Sequence, residues 1–142
     1  MTTHCSKGET RLSFDKNSWQ KTYREQNKNK CTKKYEKTKS GFLMRTYRNM
    51  KSRVTGIQKK KAHLYQGLSL LNKFDFYTWS AADHMFHLLF ESWEQSGYCR
   101  KLTPSIDRID STIGYQIGNI QWITHSENSK KGNKNRWQKQ LL

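Results

Sequence analysis

The stretch "PSIDRIDSTIGYQIGNIQWITHSENSKKG", residues 104–132, decides the fold. It opens with a short run in which Ile106 and Ile109 flank polar residues, and Gly114 marks a turn. "YQIGNIQWIT" then alternates as a strand does and ends at Thr124. Thr124 followed three residues on by Glu127 is a capping box, so a helix starts there and carries Asn128 in its first turn. The order strand, loop, strand, helix sets the end of the first strand against the start of the helix. Taken singly, Asp107 and Asp110 read as turn formers, and Asn119 and Asn128 as a turn maker and a helix cap. Their joint order and spacing ask for a further explanation.

Outside this stretch the chain is strongly basic. Lys and Arg number 27 against 11 Asp and Glu in 142 residues, a formal net charge of +16. A field of that sign attracts polyanions, so nucleic acid is the first partner expected. The length suits one folded unit with a modest core. No apolar run approaches the ~20 residues of a membrane-spanning helix, and "MTTHCSKGET" lacks the apolar segment of a signal peptide. Cys5, Cys31 and Cys99 are widely spaced and read as reduced thiols, with His4 beside Cys5 as the only hint of a mixed zinc site.

The charge lies in blocks. Residues 1–40 hold 11 Lys and Arg against four acids and few large aliphatic side chains, which reads as a basic arm, either flexible or a solvated helix. In residues 41–55, Leu43, Tyr47, Met50 and Val54 recur at helical spacing, with Arg45, Arg48, Lys51 and Arg53 on the other faces. Lys59, Lys60 and Lys61 continue this cationic surface, and no acid occurs between Glu36 and Asp75. From Phe74 to Tyr98 the balance reverses to four acids and no Lys or Arg, which marks a scaffold segment. There Ser80 and Asp83 fit a capping box for a helix over 80–97 with an apolar stripe of Phe86, Leu89, Phe90 and Trp93. His84 and His87 stand one turn apart, a metal-ligand spacing, but with Asp83 as cap they read more simply as polar-face residues. The preceding "LYQGLSLLNKFDFYTW", punctuated by Gly67 and Asn72, suits a loop or short strand. Residues 133–142 form a basic C-terminal tail.

The decisive stretch resembles the HNH (His-Me finger) nucleases. "DRID" is similar to their "DHID" opening, and "GNIQWITHSENSKK" to their "ENLQLLCxxCHNxxK" second half. Taken with "RTYRNMKSRVTGIQKKKAHLYQGL", the likeness extends over residues 41–132, to small phage-type HNH proteins. The resemblance implies an α+β fold, a mostly helical basic protein with a C-terminal ββα-metal finger at 104–132. It implies that Asp107 and Asn128 hold one divalent metal ion, Mg²⁺ first and Mn²⁺ as the alternative, and that Asn119 ties the loop. Oxygen ligands of this kind suit a hard cation, which keeps its other positions for water and phosphate.

At position 108 the chain departs from that pattern, because Arg108 stands where the family's general-base His is usual. An arginine stays protonated and has no acceptor, so it is not a base. It is suited to gripping a phosphate and countering transition-state charge. Three outcomes follow: water activated by the metal without a protein base, a base supplied by another histidine, or a DNA-binding module without chemistry. The leading expectation is a metal-dependent DNA endonuclease in the cytoplasm of a bacterial or phage-infected cell. Asp107, Arg108, Asn119 and Asn128 form its catalytic group. Arg45, Arg48, Lys51, Arg53, Lys59, Lys60, Lys61, Arg108, Lys130 and Lys131 meet double-stranded DNA, and no membrane is involved.

Overall fold

The computed structural model describes residues 15–28 and 30–141. His4 and Cys5 lie outside them, and Cys31 and Cys99 are free and exposed. The chain divides into two compact units, residues 1–32 and 33–142.

In the first unit, helix α1 (Lys16–Gln26) starts at Asp15, whose carboxylate accepts from the Asn17 amide at 3.0 Å. None of its side chains is buried, so it is the solvated helix that its composition allows. Trp19 and Tyr23, one turn apart, stack with ring centroids 5.3 Å apart. The boundary between the units falls within α2 (Lys30–Glu36).

The second unit is built around aromatic rings. Helix α3 (Lys39–Val54) is capped by Thr38, which accepts from the Gly41 amide at 3.2 Å. It buries Phe42, Leu43 and Met50, with Tyr47 and Val54 packed beside them. Gly41 is required at that start, since a Cβ would overlap the Tyr35 carbonyl. A 3₁₀ turn (Lys59–Lys61) and the one-turn helix α4 (Ala62–Tyr65) lead to a short extended piece. There Leu70 bridges to Tyr115, and Leu71 N–H donates to the Tyr115 carbonyl at 2.8 Å.

The region before Asp83 corrects the expectation of a loop or strand. Residues Lys73–Ala82 are a helix, α5, because Asn72 is its N-cap and accepts from the Asp75 amide at 2.8 Å. Asp83 then caps a separate helix, α6 (His84–Gln95), accepting from the amides of Met85 at 2.8 Å and Phe86 at 3.2 Å. The expected box between Ser80 and Asp83 is therefore absent. Ser80 lies in the last turn of α5, fully buried, and Asp83 is the Ncap residue rather than the third residue of a helix begun at Ser80. Along α6, Phe86, Phe90 and Trp93 are buried, and Leu89 is half-buried against the core.

After a 3₁₀ turn (Arg100–Leu102), β1 (Pro104–Arg108) pairs antiparallel with β2 (Ile120–Thr124), setting Ile106 opposite Trp122 and Asp107 opposite Gln121. Trp122 enters the aromatic core, 4.7 Å from Phe86 and 6.2 Å from Phe42 between centroids. The second strand is shorter than its alternation suggests. Gly118 takes φ 91°, which ends regular pairing, and Tyr115 is drawn instead into the bridge with Leu70. Helix α7 (His125–Gln140) begins with the expected capping box, in which the Glu127 amide donates to Thr124 Oγ1 and the Thr124 amide to Glu127. It continues to Gln140, through Gly132 and the basic segment that composition alone marks as a tail. Helices and one small antiparallel sheet make the chain α+β and mostly helical. Among the described residues no helix is long and apolar enough to cross a membrane.

Candidate functional site

Alternation along β1 sorts its side chains onto two faces. Pro104 and Ile106 face the core. Ser105 and Asp107 face α7, where Asn128 and Lys131 stand three residues apart on the same side of the helix. Asn128 Nδ2 donates to Ser105 Oγ at 2.8 Å and to the Ile106 carbonyl at 3.3 Å. Lys131 Nζ donates to Asp107 Oδ2 at 2.8 Å and to the Arg108 carbonyl at 2.8 Å. Gln121, opposite Asp107 on β2, donates to the same carboxylate oxygen at 2.9 Å. Asp107 is only 5% exposed, which a residue serving only to shape a surface turn would not be.

Asp110 is of the other kind. It is exposed, accepts from the Thr112 amide at 2.9 Å and the Thr112 hydroxyl at 2.6 Å, and shapes a local turn. Those Thr112 bonds hold its carboxyl below the usual value, with a lesser pull from Arg108. Asn119 closes the loop from inside. Its Oδ1 accepts from the Asp110 amide at 2.8 Å, and its Nδ2 donates to the Asp110 carbonyl at 3.1 Å and the Gly114 carbonyl at 2.9 Å.

Arg108 is turned onto the same loop. Nη1 donates to the carbonyls of Ser111 at 2.8 Å and Ile113 at 3.2 Å, and the guanidinium lies 4.3 Å over the Tyr65 ring. Tyr65 stacks in turn on Tyr115, with an angle of 8° between their planes. Burial pushes the Tyr115 phenol up, opposed by Arg53, whose Nη1 donates to it at 3.3 Å.

The basic residues divide by what they touch. Arg45 pairs with Glu36 at 3.0 Å, while Arg53, Arg108 and Lys131 are held by groups of the chain. Arg48, Lys51, Lys59, Lys60, Lys61 and Lys130 are exposed. A cleft between α3 and the start of β1 is lined by Lys33, Lys37, Arg45, Arg53, Thr103 and Ser105, with Glu36 as its one acid among the described residues. Its lining includes the serine that Asn128 holds.

Two of the described histidines have bonds that fix their place. His87 sits between Lys39 Nζ at 2.9 Å and the Ala81 carbonyl at 2.7 Å, and His125 starts α7 with its amide bonded to the Thr103 carbonyl. Among the described residues no three His, Cys, Asp or Glu gather as a metal cluster. The donor set at Asp107 is of another type. One carboxylate and backbone carbonyls surround a positive charge, which is the oxygen chemistry of a hard cation.

Gln121, Ser105 and Tyr65 belong to this site and were not evident from the sequence. Register with Asp107 is the signal for Gln121, and alternation on β1 the signal for Ser105; Tyr65 carries no local signal. No known protein family, no curated protein and no solved structure matches this chain.

Proposed function

We propose that the protein is a metal-dependent DNA endonuclease of the HNH type, acting inside a bacterial or phage-infected cell. The observation that carries this reading is the convergence at Asp107. A buried carboxylate at the end of a strand meets the helix that bears Asn128, in the order strand, loop, strand, helix. Asp107 and Asn128 would hold Mg²⁺ or Mn²⁺. When bound, such an ion lowers the pKa of a water nucleophile and counters charge on the transferring phosphoryl group.

The chain's own groups do the rest. Asn119 fixes the loop that follows Asp107. The cleft beside β1 and the exposed Arg48, Lys51, Lys59, Lys60, Lys61 and Lys130 bind phosphates of double-stranded DNA by charge. Arg108, with one nitrogen committed to the loop, adds positive charge beside Asp107 and supplies no base. The expected rate is therefore low, since a missing general base costs ~10²–10⁴.

A second reading, a DNA-binding protein without chemistry, is favoured by the Lys131 ammonium on Asp107. Supercoiled plasmid incubated with Mg²⁺ or Mn²⁺, and again with EDTA, separates the two. Nicking that EDTA stops supports the endonuclease; DNA retained on the protein in EDTA and never cut supports the binding protein.

A further inference from the structure

Lys131 reaches from the second turn of α7 into a nest of oxygens. Its ammonium lies 2.8 Å from Asp107 Oδ2, 2.8 Å from the Arg108 carbonyl and 3.4 Å from the Ile109 carbonyl. The lysine side chain is 35% exposed and the aspartate side chain 6%, so solvent screens this contact far less than a surface pair. A carboxylate and carbonyls are the ligands that a hard divalent ion selects, and here the chain supplies its own cation to them.

We propose that Lys131 competes with the divalent ion for Asp107. The proposal rests on the reading of Asp107 as the metal ligand. Oδ2 already accepts from both Lys131 and Gln121, so an ion binding there displaces the ammonium. An ion taking the other carboxylate oxygen lies within a few ångströms of the ammonium, and like charges that close repel strongly where solvent is scarce. Asn128 is held in place beside β1. Its amide nitrogen is committed to Ser105 Oγ and the Ile106 carbonyl, which fixes the amide and leaves Oδ1 as the only atom that could serve a metal. Weak metal binding in the free protein is then a property of residue 131, and removing that charge strengthens it.

The test uses Mn²⁺ alone as the probe, with affinity read by calorimetry and by the spin resonance of free Mn²⁺, and with melting curves to show folding. Lys131→Met should bind Mn²⁺ about ten-fold or more tightly than the wild type, since a neighbouring positive charge is gone. Mn²⁺ should also raise its melting temperature more. Lys131→Gln keeps donors for the same oxygens without the charge and should behave alike, which covers the case of a methionine variant that does not fold. Adding Asp107→Asn to either should remove the gain. A folded Lys131→Met or Lys131→Gln with wild-type affinity overturns the proposal, as does a gain that survives Asp107→Asn. Shifted isotherms with no nicking by any variant would retire the endonuclease and leave the competition standing. Nicking by the wild type with unshifted isotherms would do the reverse.

Discussion

Asn119 is bonded to both backbone groups of Asp110: it accepts from the amide at 2.8 Å and donates to the carbonyl at 3.1 Å. One buried side chain therefore replaces the strand ladder where β1 gives way to the loop. Asn119→Ala leaves the Asp110 amide and the Gly114 carbonyl without their partner inside the fold. An unsatisfied buried group costs ~1–3 kcal/mol, so a loss of at least that size is expected in urea unfolding. Asn119→Asp should lose nearly as much, because a carboxylate cannot donate to the Gly114 carbonyl. Unfolding midpoints equal to wild type for both would deny Asn119 its role in the loop.

Residues Phe90 and Leu89 share α6 but not the same depth. Phe90 is 2% exposed and meets Phe42 edge-on at 5.8 Å, while Leu89 is half-buried at the margin of the core. Phe90→Ala should cost ~3–5 kcal/mol, and Leu89→Ala less, since a cavity at the margin collapses more readily. Chemical unfolding that ranks the two the other way would mean that α6 presents a different face to the core.

Legibility in the sequence followed the range of the interaction. The capping box of Thr124 and Glu127 lies within four residues and was readable, as was the apolar stripe of α6. Residues 73–82 were not, because Phe74, Phe76, Tyr77 and Trp79 are strand formers by propensity. The local Asn72 cap and the burial of Phe76 beside Tyr47 and Trp122 outweigh that preference. The fate of Lys131 was the least legible. In sequence it is one more base in a basic chain, and it meets Asp107 across 24 positions only when α7 docks on β1.

If the exposed bases Arg48, Lys51, Lys59, Lys60, Lys61 and Lys130 lie along DNA phosphates, six counterions leave on binding. Affinity should then fall by ~10³ between 50 and 200 mM salt, with a log–log slope of about −5. Fluorescence anisotropy on a labelled duplex measures it. Replacing Lys59, Lys60 and Lys61 together by Gln should flatten the slope by about three, with little change in stability, because all three are exposed. A salt-independent affinity would mean that these residues do not meet phosphate.

Asp107 and Arg108 are adjacent in β1, and their replacements should part the two readings of the protein. In an endonuclease, Asp107→Ala abolishes metal-dependent nicking while DNA binding persists or strengthens, since a carboxylate serves the metal and repels phosphate. In a protein that only binds, folded Asp107→Ala binds DNA as the wild type does, although loss of the partner of Lys131 lowers its stability, and Arg108→Ala weakens binding. Arg108→His is the sharper variant. It places an imidazole beside the metal ligand, and a positioned base adds up to ~10²–10⁴ in rate. It also removes the bonds to the Ser111 and Ile113 carbonyls and the stack on Tyr65. A cation over a ring contributes ~0.5–1 kcal/mol at such a site, so some stability is lost as the base is gained. Rates should therefore be taken per folded molecule at saturating DNA, with Arg108→Gln as the control that loses the charge without gaining a base. Faster nicking by Arg108→His than by both wild type and Arg108→Gln identifies a site that lacks only its base. Equal rates for Arg108→His and Arg108→Gln, both below wild type, would show that the guanidinium itself serves the transition state.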